Sequence, residues 1–172
     1  MAALGEMAIV LERLQLLIIA NSAFVAQCAL DGLTPANQVF LHAHRPARQG
    51  GVVRPSCIER PFVIIAPEEF SYNEHSEGCM FPQMNIAMHI NDKYRGDPES
   101  ATYFHETAQN FTNFVSQFLD ELSSGNRQPQ NLVMRKIMQT TRPQPVARRS
   151  ENDDYTFWLA EYNIQIGADI QV

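Results

Sequence analysis

The sequence predicts one α+β domain: a mostly antiparallel sheet with two main helices packed on it and long projecting loops. Three observations predict this. Residues 3–20 and 104–122 repeat apolar side chains at three and four, the period of a helix with one buried face. Gln83–Asn91 alternates at period two, with Met84, Ile86, Met88 and Ile90 on one side, as a half-buried strand does. The segments run α–β–β–β–α–β–β, which groups strands rather than alternating them with helices, and so favours helices on one face of an antiparallel sheet. A chain of 172 residues suits a single domain, taken as 1–166, with 167–172 as a C-terminal tail.

The elements follow in order. Leu4, Met7, Ala8, Leu11, Leu14, Leu17 and Ile18 line the first helix, and residues 21–30 extend it or form a second short one before Asp31-Gly32 ends the pattern. Gln38–His44 alternates Val39, Leu41 and Ala43 with Phe40, His42 and His44, a strand. Residues 45–60 hold two prolines, two glycines and four arginines and read as a long basic loop. Phe62-Val63-Ile64-Ile65-Ala66 is continuously apolar, as in a strand covered on both faces. Pro67–Pro82 is polar and turn-rich and reads as a second loop.

After the Gln83–Asn91 strand, Asp97-Pro98-Glu99-Ser100 has the makings of a helix start. It offers a capping carboxylate, a proline whose missing N–H costs nothing, and an acid at the positive helix end. The stripe Phe104, Ala108, Phe111, Phe114 or Val115, Phe118, Leu119 and Leu122 follows, and Ser123-Ser124-Gly125-Asn126 stops it. Asn131–Thr140 reads as a strand, 141–154 as a third loop, and Tyr155–Ile166 as the closing strand. That last strand carries Trp158 and Tyr162 on one side and Phe157 on the other. An edge so apolar needs cover, from a neighbouring subunit or from a central place in its own sheet.

Composition narrows the function classes. The net charge is −6, which disfavours nucleic acid as the main partner. Positive charge is local: Arg45, Arg48, Arg54 and Arg60 in one stretch, Arg135, Lys136, Arg142, Arg148 and Arg149 in another. Without interleaved aromatics these make no stacking platform for single strands, and arginine's planar fork suits carboxylates on a protein partner. Cys28, Cys57 and Cys79 are odd in number and widely spaced, so no disulfide framework is expected. The start MAALGEMAIV has no basic n-region, and Leu14–Ala20 is too short to span a bilayer, so neither a secretory signal nor a membrane partner is expected.

A catalytic reading starts from His42 and His44, which one strand would point to the same side. Together they could share a zinc or iron ion with a third ligand drawn from Glu74, His75, Glu77, Cys79 or His89. The pair resembles the opening of cupin metal sites, which makes a small metal-dependent enzyme the alternative function. The glutamate that cupins place next is absent: Arg45-Pro46-Ala47-Arg48 stands there, and its cations disfavour a bound metal. His75-Ser76-Glu77-Gly78-Cys79 lacks the strand–turn–helix frame of a nucleophile, and no phosphate-binding glycine motif occurs. No enzyme, metal or cofactor is expected.

The layout as a whole resembles the tail terminator and neck proteins of long-tailed bacteriophages. The likeness rests on the apolar first helix, the "RPFVIIA" strand at Arg60–Ala66, the alternating strand at Gln83–Ile90, the helix at Phe104–Leu122 and the closing "YTFWLAEYNIQI" at Tyr155–Ile166. It implies a non-enzymatic virion protein, assembled in the host cytoplasm. Such proteins form homo-oligomeric rings, often hexamers, that cap the tail tube and face the head connector, with DNA near the lumen. Contacts to self and to tube and connector proteins would fall on the loops 45–60, 67–82 and 141–154. The residues expected to make them are Arg45, Arg48, Arg54, Arg60, Arg148 and Arg149, with Trp158 and Tyr162 on the last strand.

Overall fold

Val10, Leu14 and Ile18 stand four residues apart, so one side of a helix carries all three, and all three are buried. They belong to α1 (Ala2–Ile19) in a computed structural model that describes residues 2–41, 59–74, 80–124, 132–149 and 154–168. The chain then breaks at Asn21, whose backbone is extended. Its side chain accepts the Phe24 N–H at 3.1 Å and so caps α2 (Ser22–Ala29). The two helices meet at a bend of 59°. Among the described residues no single helix is long and apolar enough to cross a membrane.

Gly32 ends α2 with a positive φ of 65°. Its N–H reaches the Ala29 carbonyl and the Leu33 N–H reaches the Cys28 carbonyl, the paired bonds that close a helix on a left-handed glycine. A single 3-10 turn, Pro35–Asn37, leads into the sheet.

Five strands follow among the described residues: β1 (Val39–Leu41), β2 (Phe62–Glu74), β3 (Met80–Lys93), β4 (Leu132–Arg149) and β5 (Asp154–Ala168). Their order across the sheet is β1-β2-β3-β5-β4, with β1 parallel to β2 and every other pair antiparallel. Between β3 and β4 the chain forms α3 (Tyr103–Ser123).

Period two in the strands sends Val63, Ile65, Met84, Ile86, Met88, Ile90, Trp158, Ala160, Tyr162, Ile164 and Ile166 to one face. Phe111, Phe114, Val115, Phe118 and Leu122 of α3, with Phe24 and Cys28 of α2, pack onto that face. Each fully buried large side chain contributes on the order of 2 kcal/mol relative to exposure. The core is therefore one layer between a sheet and three helices.

Two polar ties fix the helices to one another. Asn21 Nδ2 donates to the Phe118 carbonyl at 3.0 Å, and Glu121 accepts the Ser22 N–H at 2.9 and 3.0 Å and the Ser22 hydroxyl at 2.5 Å. Burial would raise the Glu121 pKa, but the bonds from Ser22 outweigh it and hold the carboxylate below its usual range.

The fold departs from the sequence reading in four places. Among the described residues three helices pack on the sheet rather than two, because Asn21 turns the expected extension into a separate element. Most of 67–82 and 141–154 is strand, not loop: β2 runs on to Glu74, β3 begins at Met80, and β4 continues through Pro143 and Pro145 to Arg149. Prolines are tolerated there because β4 is an edge strand and Pro67 lies at a register shift. α3 starts at Tyr103; Asp97 instead closes a turn by accepting the Glu99 N–H at 3.0 Å. Trp158 and Tyr162 are buried in the chain's own core, on a strand flanked by β3 and β4, so the apolar last strand is covered from within.

Candidate functional site

The alternation that buries one side of each strand leaves the other side facing away from the helices. Ile64, Ala66, Asn85, Ala87, His89, Leu159, Glu161, Asn163 and Gln165 are all half-buried there, and among the described residues no helix covers them. Amides and charges dominate this face. His89 pairs directly across the β3–β5 ladder with Glu161, Nδ1 to Oε1 at 3.1 Å. Asn163 donates from Nδ2 to the Glu68 carboxylate. At the end of the face near the start of β2, the Arg60 guanidinium lies 4.0 Å above the Phe157 ring and 5.2 Å from Phe62, a cation–π arrangement. Phe40 meets Phe62 edge-on at 6.0 Å.

A second charged group closes the helix side of the sheet. Asp92, almost fully buried at the end of β3, accepts from Gln27 Nε2 at 2.6 Å and from its own neighbour's amide, the Lys93 N–H, at 2.8 Å. Arg95 also donates to Asp92 and bridges to Asp31 at 2.6 Å, and Lys93 reaches Asp31 as well. Burial opposes charge on Asp31, yet the bonds from Lys93 and Arg95 hold its pKa below the usual value. Burial likewise opposes charge on Arg95, and Asp92 and Asp31 more than restore it. Every charge in this cluster has a partner, so it joins α2 to the end of β3.

Burial, with a smaller push from Asp92, raises the Cys28 thiol to about 11, which makes it a poor nucleophile at neutral pH. Among the described residues no three His, Cys, Asp or Glu side chains could hold a metal ion together. His42 and His44 lie outside the described residues, so the cupin-like alternative gains no support.

The sheet's ends and edges carry the remaining geometry. β2 and β3 pair past the end of the β3–β5 ladder, through Tyr72↔Pro82, Asn73↔Phe81 and Glu74↔Met80. β4 and β5 do the same at the opposite end, through Ala147↔Thr156, Arg148↔Tyr155 and Arg149↔Asp154. Each is a hairpin arm of paired strand. Among the described residues β4 is the outer strand on one side, and three register shifts interrupt it: Met134/Lys136, Gln139/Thr141 and Thr141/Gln144. Such breaks discourage uncontrolled pairing along the far half of an edge.

The chain matches no protein-family model and no curated protein.

Of the residues expected at contacts, Arg148 and Arg149 stand on the β4–β5 arm, at its register positions opposite Tyr155 and Asp154. Arg60 covers the aromatic end of the half-buried face. Arg45, Arg48 and Arg54 lie outside the described residues. Trp158 and Tyr162 belong to the core, where Trp158 stacks on Tyr94 and Phe111 with ring centres 5.4 and 5.9 Å away. The sequence reading missed the Asp31–Asp92–Lys93–Arg95 cluster. Its signal was available: continuing the alternation Met84, Ile86, Met88, Ile90 by one step makes Asp92 an inward acid that needs a buried partner.

Proposed function

We propose that the chain is a non-enzymatic structural subunit of a long-tailed bacteriophage virion. It forms a homo-oligomeric ring, hexameric in the manner of the family it resembles, that serves as tail terminator or an adjoining neck layer. Assembled in the host cytoplasm, the ring caps the tail tube and joins it to the head connector, with DNA passing near its lumen.

The observation that carries this reading is the placement of two hairpin arms at opposite ends of one sheet. A layer between tube and connector needs contacts at both ends along the axis. Arms extending from a hydrogen-bonded sheet offer them without ordering a floppy loop first, which lowers the entropy lost on binding. The amide-rich face suits a role made of surfaces.

Size-exclusion chromatography with light scattering, in the presence of a chelator, tests the reading. One discrete oligomer that persists without metal supports it. A stable monomer at the highest soluble concentration overturns it.

A further inference from the structure

We draw no further inference here: the strongest candidate, the exposed apolar surface of the helix layer formed by Leu16 of α1, Val25 of α2 and Leu30 at the end of α2, carries none, because nothing among the described residues shows what covers it.

Discussion

Arg95 grips both carboxylate oxygens of Asp92, from Nε at 2.8 Å and from Nη2 at 2.9 Å, where Asp92 is 1% exposed. The two residues are three apart across the end of β3, and Gln27 of α2 shares the same acceptor. The contact therefore ties a helix, a strand end and the segment leading to α3. Asp92→Ala leaves the largely buried Arg95 guanidinium with Asp31 alone, takes the acceptor from Gln27, and should cost about 3 kcal/mol of stability. Urea unfolding monitored by circular dichroism measures it. A loss below about 1 kcal/mol would contradict the role given to this pair.

Asp31 links the cluster to pH. Its folded pKa is held below the usual aspartate range, against burial, by Lys93 and Arg95. A depressed carboxylate contributes stability above its unfolded pKa and loses it as pH falls through the folded value. Stability should therefore drop on acidification below about pH 4. In Asp31→Asn that drop should be shallower, with the two proteins converging at the acid end. Denaturant midpoints measured across the acid range check this; parallel curves would show that Asp31 contributes nothing to the acid limb.

Asn21 has two duties, capping α2 and reaching the Phe118 carbonyl, and it is 2% exposed. Asn21→Ala removes the cap and the added bond to the Phe118 carbonyl, at a combined cost of about 2 kcal/mol. Asn21→Asp, which can still cap, should recover part of that loss. Equal losses in the two variants would mean that the cap is immaterial.

Trp158, the chain's one tryptophan, is 4% exposed beneath α3, with Phe104 covering it from the helix start. Its fluorescence should be that of a buried indole in every folded state. If the proposed ring dissociates on dilution, the emission wavelength should stay unchanged, and only denaturant should shift it to the red. A red shift on dissociation of folded protein would place Trp158 at a subunit joint instead of the core.

Much of this fold was legible from periodicity. The alternation at Met84–Ile90 and at Trp158–Ile166 identified both central strands and their inward faces, because each face meets one environment along its whole length. The Phe111–Leu122 stripe located α3 for the same reason. The arms were not legible. Ser71–Glu74 and Gln144–Arg149 carry mostly turn-type and charged residues, and their strand form shows only in the pairing across each hairpin. The start of α3 was misplaced because Asp97-Pro98-Glu99 suits a turn as well as a cap.

Electron microscopy of the purified wild-type chain tests the central claim most directly. Closed rings with a central hole and a single rotational order are expected, with the sheets' strands running roughly along the ring axis. Particles of monomer size, or open filaments without closure, would contradict it.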